Sequence, residues 1–230
     1  MKNKGLTIGI IVSIMFLIIL VLIIVFAVKD LNQEEKLENE IENVIKLINI
    51  NPMNNNKINI ILNRTITTKK YSKVEKAIKS YLKEITIVFN KSYQIVDNDK
   101  ISYFLTIENY KTDGKEFPET LKYITETKEN IENINKDIEN LSSKKVIKSY
   151  IDNKNLDTYY NNLYYNLIYE EDNLKLNSDI DNYYELLNNL ENLIIFLKEN
   201  KDNWIIQDNK IAFNNNDLIN TYNNLLDKIN

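Results

Sequence analysis

The chain has 230 residues, a formal charge of −4 and 43% hydrophobic residues, but an apolar N-terminal block takes up much of the latter and leaves the remainder polar for a globular domain. Histidine and cysteine are absent, which excludes imidazole bases, thiol nucleophiles, disulfides, haem-type ligation and structural zinc; three glycines and two prolines leave no phosphate cradle and too few turns for an all-β fold. A single arginine, Arg64, beside 28 lysines argues against nucleic acid as a partner, because bidentate readout of bases and phosphates relies on arginine.

Leu6 to Val28 runs 23 residues without a charge, bracketed by Lys2, Lys4 and Lys29. As a helix it reaches ~35 Å, enough for a hydrocarbon core of ~30 Å. A cleavable signal peptide has an apolar core of about 7–15 residues and a small-x-small cleavage site. Phe26-Ala27-Val28-Lys29 offers neither, so the segment reads as an uncleaved anchor, with the membrane as partner through Leu6 to Val28. Residues 1–5 carry two lysines and the terminal amine, while the far flank mixes Lys29 and Lys36 with Asp30, Glu34 and Glu35. Because acidic residues count little in orientation, this bias favours a cytoplasmic N-terminus and an extracytoplasmic remainder.

Beyond the anchor, Leu37, Ile41, Val44 and Ile48 recur at steps of four, three and four, which predicts a juxtamembrane helix with one apolar stripe. Ile50-Asn51-Pro52 stops it, and Asn54-Asn55-Asn56 extends the break into a flexible linker. Ser72 and Glu75 read as a capping box opening a helix over about 72–96, with the stripe Val74, Ile78, Tyr81, Ile85, Val88 and Val96. Asp97-Asn98-Asp99 breaks it. Ile101, Phe104, Leu105 and Ile107 then supply a shorter packed segment, Lys100–Tyr110, closed by Thr112-Asp113-Gly114. Pro118 occupies a first helical position, after which Ile124, Ile131 and Ile138 repeat every seven residues alongside Thr127, Ile134 and Leu141, a coiled-coil-like spacing.

Ser142-Ser143 caps a short helix over 144–152, and Asp157 opens another carrying Tyr160, Leu163, Tyr164, Leu167 and Leu174. Ser178 or Asp179 opens the most regular stripe, Ile180, Tyr183, Leu187, Leu190, Ile194 and Leu197. Near the C-terminus the period becomes two: Trp204-Ile205-Ile206-Gln207 and Lys210-Ile211-Ala212-Phe213 flank the turn Asp208-Asn209, so a β-hairpin is expected, with Trp204 anchoring it. A last helix over about 216–229 places Leu218, Tyr222, Leu225 and Ile229 on one face.

Four patterns bear on chemistry. Ser142-Ser143-Lys144-Lys145 matches the Ser-x-x-Lys element of serine acyl-transferases, as does Ser80-Tyr81-Leu82-Lys83, and Lys111-Thr112-Asp113-Gly114 echoes their Lys-Thr-Gly element; nine serines and abundant lysine yield such matches by chance, and capping accounts for Ser142 and Ser143. Glu170-Glu171-Asp172 and Asp179 with Asp181 pair carboxylates but lack the Gly-bearing loop of a calcium site, so they read as a solvated face. In Tyr159-Tyr160, Tyr164-Tyr165 and Tyr183-Tyr184 one ring of each pair fits a core stripe; the others, Tyr159, Tyr165 and Tyr184, form a shoulder available to a glycan or protein partner or to packing between helices. Asn63-Arg64-Thr65 and Asn140-Leu141-Ser142 are glycosylation sequons only in a eukaryotic secretory setting. The 39 asparagines, with Ile and Lys, reflect AT-rich codons rather than function.

At the N-terminus, Lys4-Gly5-Leu6-Thr7-Ile8 resembles the processing site of type IV pilin-like proteins, where a basic residue and glycine precede an apolar helix. The likeness spans five residues. Ile10 stands where those proteins usually carry glutamate, and the sheet-rich domain that the resemblance implies has no counterpart in this sequence.

The expected fold is mainly α: a transmembrane helix followed by an extracytoplasmic antiparallel helical bundle with one short C-terminal hairpin. Residues 1–5 form the tail, 6–28 the anchor, 29–56 a juxtamembrane helix and linker, and 57–230 the helical domain with the hairpin at 204–213. No catalytic, cofactor-binding or metal-ligating residue is assigned. The expected function is a membrane-anchored envelope protein that binds or scaffolds without catalysis. The alternatives are an envelope hydrolase or transferase using carboxylates or a Ser–Lys pair, and a pilin-like or sensory input component; the five-residue tail leaves the last without an output module of its own.

Overall fold

In the chain's N-terminal part no proline interrupts the sequence before Pro52, and α1 (Asn3–Ile50) is accordingly one unbroken helix. The computed structural model describes the backbone of residues 3–169 and 177–229 and the side chains of residues 15–169 and 180–229. Along α1 the environment changes abruptly. From Met15 to Val28 the large apolar side chains are 40–64% exposed, whereas Leu37, Ile41, Val44 and Ile48 have no exposure at all. The first stretch lies in a helix that is long and apolar enough to cross a membrane. The second is the predicted juxtamembrane stripe.

The remaining elements are α2 (Asn55–Asn63), α3 (Lys69–Ile95), α4 (Asn98–Phe104), α5 (Ile107–Asp113), α6 (Pro118–Leu141), α7 (Lys144–Ser149), α8 (Thr158–Tyr169), α9 (Asn177–Glu199), β1 (Trp204–Gln207), β2 (Lys210–Phe213) and α10 (Asn216–Leu226). The chain divides into two compact units, one from Met1–Leu47, Asn54–Lys83 and Lys148–Asp172, the other from Ile48–Met53, Glu84–Ile147 and Asn173–Asn230.

In the first unit the flexible linker expected over residues 51–56 is shorter than predicted, because α2 starts at Asn55 and buries Ile58, Ile61 and Leu62. Those three residues have helical spacing, which the preceding asparagine run obscured. The capping box at Ser72 is also corrected. α3 begins at Lys69, so Ser72 lies inside the first turn and its Oγ donates to the Lys69 carbonyl at 2.8 Å, while the Glu75 carboxylate accepts from Ile66 N and Thr67 N instead. Val74, Ile78 and Tyr81 are buried as expected, and Tyr71, one turn earlier, is buried with them. Tyr71 meets Tyr160 edge to face at 5.0 Å and Tyr81 meets Tyr150 at 5.6 Å, aromatic contacts that join α3 to the segment leading into and forming α8.

The second unit is built on α9, whose predicted stripe is buried from Ile180 to Leu197 with Leu193 added. α6 and α10 pack against α9, and α10 also meets β2. Within this unit Val96, past the end of α3, is half-buried rather than core, and so are Ile138 and Leu141 toward the end of α6. The Lys100–Tyr110 segment is two short helices, each with its own side-chain cap: Asp97 accepts from Lys100 N and Thr106 from Asn109 N. Pro118 opens α6 as predicted, and Asp113 holds that helix start by accepting from Glu119 N and Thr120 N. β1 and β2 pair antiparallel in the predicted register, Trp204 opposite Phe213 and Gln207 opposite Lys210. Asp208 and Asn209 both have φ near +50 to +60° (49° and 59°), the geometry of the tight hairpin turn that matches strand twist. Trp204 is 1% exposed, stacks on Phe117 and donates from Nε1 to the Leu197 carbonyl at 2.8 Å.

Candidate functional site

Two constellations stand out, one in each unit. In the first, α1 supplies Glu40, the α2–α3 connection supplies Arg64 and Thr67, and α3 supplies Glu75 and Lys79. Glu75 and Lys79 are one turn apart and share a salt bridge of 2.6 Å with side-chain exposures of 0% and 3%. Lys79 also donates to Glu40 at 2.8 Å and to the Arg64 carbonyl at 3.0 Å, so all three ammonium protons are used. Arg64 Nε donates to Glu40 at 2.7 Å, its second guanidinium nitrogen reaching the other carboxylate oxygen. Glu75 accepts in addition from Ile66 N, Thr67 N and the Thr67 hydroxyl at 2.6 Å.

Burial opposes the charge on both carboxyls. The hydrogen bonds from Arg64 and Lys79 outweigh it at Glu40, and those from Lys79, Thr67 and Ile66 outweigh it at Glu75, so both are held below the usual carboxylate range. Two positive and two negative groups thus form a hydrogen-bonded ionic cluster. It fastens three segments together.

In the second unit a groove of about 490 Å³ lies between Ile48 and Asn49, the later part of α3 with Phe89 and Tyr93, and the start of α9 with Tyr183 and Leu186. Among the described residues its lining carries no charged side chain. Tyr183 is its best-fixed member: the hydroxyl donates to the Asp97 carbonyl at 3.3 Å, meets Asp97 N at 3.2 Å and lies 3.4 Å from the Tyr123 hydroxyl. Burial pushes its phenol above the ordinary tyrosine range. Ser92, also in the lining, donates to the Val88 carbonyl one turn back. The Tyr183 and Ser92 hydroxyls are therefore engaged with the backbone, and the groove's described surface is apolar with amide and hydroxyl edges. Such a surface is suited to an uncharged ligand face.

The residues singled out in the sequence go elsewhere. Ser142 ends α6 and is exposed, as is Lys145; Ser143 is the cap, its Oγ accepting from Val146 N at 3.3 Å. Ser80 donates to the Lys76 carbonyl on the outside of α3. Asp113 of the Lys-Thr-Asp-Gly segment is committed to the start of α6, where it also accepts from the Thr120 hydroxyl. Glu170-Glu171-Asp172 and Leu174 lie outside the described residues, as do the side chains of Ser178 and Asp179, while Asp181 is exposed.

Tyr160, Tyr164 and Tyr183 are the inward members of their pairs. Of the outward three, Tyr159 and Tyr165 belong to the first unit and Tyr184 to the second. Each also has contacts of its own. Tyr159 donates to Glu34 at 2.6 Å, Tyr165 stacks on Tyr169, and Tyr184 donates to Glu132 beneath the Lys128 ammonium.

The charge cluster and the groove were both missed at the sequence level. The partners in the cluster are 24 and 39 residues apart, as Glu40 is from Arg64 and Lys79, and only the isolation of the lone arginine marked it. The chain matches no protein-family model, no curated protein and no solved structure.

Proposed function

We propose that this chain is a single-pass envelope protein, anchored through Leu6 to Val28 with its N-terminus in the cytoplasm, whose extracytoplasmic helical bundle binds or scaffolds a partner without catalysis. The observation that carries the reading is the groove beside Tyr93 and Leu186, which among the described residues offers apolar area and polar edges fixed by Tyr183 and Ser92 and no charged side chain. The ionised cluster around Lys79 supports the same view. Its carboxylates are engaged in holding the fold, and the Ser-x-x-Lys serine at 142 and its lysine at 145 are both exposed rather than enclosed in a site. A protein or glycan with an uncharged face fits the groove. Affinity capture of the full-length protein from its native membrane tests this: a partner retained by the wild type should be lost in Leu186→Arg, with the melting temperature kept within a few degrees. Covalent labelling by a serine-reactive acylating probe, lost in both Ser142→Ala and Lys145→Ala, would instead establish an acyl-transfer enzyme.

A further inference from the structure

α1 serves as a ruler for where the first unit stands relative to the membrane, since it passes from the apolar span into the unit without a break. Gln33 lies five residues beyond Val28 and Glu34 six, which places their backbones roughly 7–9 Å beyond the end of the apolar segment. Helical side chains lean toward the N-terminus, so their contacts lie lower still. Those contacts are with the rest of the unit. Gln33 Oε1 accepts from Thr68 N at 2.8 Å and from the Thr68 hydroxyl, and Glu34 accepts from the Tyr159 hydroxyl at 2.6 Å. An open groove of about 300 Å³ is lined there by Phe26, Lys29 and Asp30 of α1 together with Lys69, Tyr71 and Tyr160. Phe26 belongs to the apolar span itself and is 64% exposed, so the groove begins at the hydrocarbon boundary.

The polar headgroup layer is about 5–8 Å deep on each side of the hydrocarbon. Tyr71, Tyr159 and Tyr160 form a linked ring cluster, with Tyr159 and Tyr160 5.1 Å apart, and tyrosine is the residue that membrane proteins collect at this depth. Lys29 and Lys69 are exposed, and among the described residues neither ammonium has an ion-pair partner. Lys70 by contrast is paired with Asp157 at 2.6 Å. We propose that this end of the first unit rests in the headgroup layer of the chain's own bilayer, with lipid phosphate in the groove against Lys29 and Lys69. Asp30, in the same lining, faces the ammonium of the headgroup. The proposal rests on Leu6 to Val28 spanning the membrane.

The chain has no cysteine, so single nitroxide labels can be placed cleanly. Full-length protein carrying Leu22→Cys, Thr158→Cys or Glu42→Cys is reconstituted into phospholipid vesicles, and depth is read from collisional relaxation by oxygen and by a water-soluble nickel chelate. The label at 22 should lie in hydrocarbon, that at 158 at headgroup depth, and that at 42, roughly 21 Å beyond Val28, in water. A label at 158 as exposed to the chelate as that at 42, with 22 still buried, overturns the proposal alone. If the label at 22 is also in water, the anchor itself is wrong. Lys29→Glu with Lys69→Glu should move the 158 label toward water, and an unchanged depth would overturn the phosphate contact.

Discussion

Glu75 and Lys79 sit one turn apart on α3 with 0% and 3% of their side chains exposed. Taking Lys79 away leaves Glu75 buried without its ammonium partner, and taking Glu75 away leaves the buried Lys79 with Glu40 as its one remaining carboxylate. Glu75→Gln and Lys79→Met should each destabilise the first unit by about 3–5 kcal/mol, and the double variant by clearly less than the sum, because it removes both charges together. Urea unfolding in detergent, followed by circular dichroism, measures all three. The cluster also sets an acid limit. The Glu40 and Glu75 carboxyls are held below the ordinary glutamate range in the folded state, so the folded state binds fewer protons than the unfolded one, and the stabilisation is fully present above that ordinary range. It is lost as pH falls through the lowered folded values, and Glu75→Gln should flatten this acid slope. At the other serine pair the structure separates two neighbours: Ser143→Ala should cost about 0.5–2 kcal/mol as a lost cap, whereas Ser142→Ala, exposed at the end of α6, should stay within about 0.5 kcal/mol. Equal effects of the two substitutions would contradict the assignment.

The hairpin shows what was legible in the sequence and why. Its strands, turn and anchor are specified within ten residues by period-two patterning and by Asp208-Asn209, whose side chains tolerate the left-handed region. The α9 stripe was legible for the same reason, every core residue being set by steps of three and four. The charge cluster was not, because Arg64 lies between helices and its partner Glu40 reads as one more glutamate on an acidic stretch of α1 until the fold brings them together. α2 was missed because three asparagines outweighed Ile58, Ile61 and Leu62, and the groove because it is drawn from α1, α3 and α9 at once. At the turn, Asn209→Gly should preserve or raise the melting temperature, while Asn209→Val, forced into φ of 59°, should lower stability by about 1–2 kcal/mol. Trp204→Ala should cost more, about 3–5 kcal/mol, since it empties the contact with Phe117 and Tyr110 and abandons the Leu197 carbonyl. Thermal melts monitored by circular dichroism rank these variants.

For the molecule as a whole, the proposed anchor, 23 uncharged residues from Leu6 to Val28, offers far more apolar surface to a membrane than the rim around Lys69 does. Deleting Met1–Val28 should therefore release the protein from the membrane fraction on washing, and retention would mean that another surface inserts. Protease added to intact cells or spheroplasts should digest the chain from Asp30 onward, and full protection would reverse the proposed topology. The continuity of α1 has a mechanical consequence as well. A shaft with no hinge between bilayer and domain couples torsion to height: one residue inserted between Lys29 and Leu31 would lift everything above it by about 1.5 Å and swing it through about 100°, whereas seven would raise it about 10 Å and return it almost to its original azimuth. Stand-off and heading could then be varied separately, and a partner embedded in the same bilayer would feel the one-residue change as a turned face and the seven-residue change as a raised one.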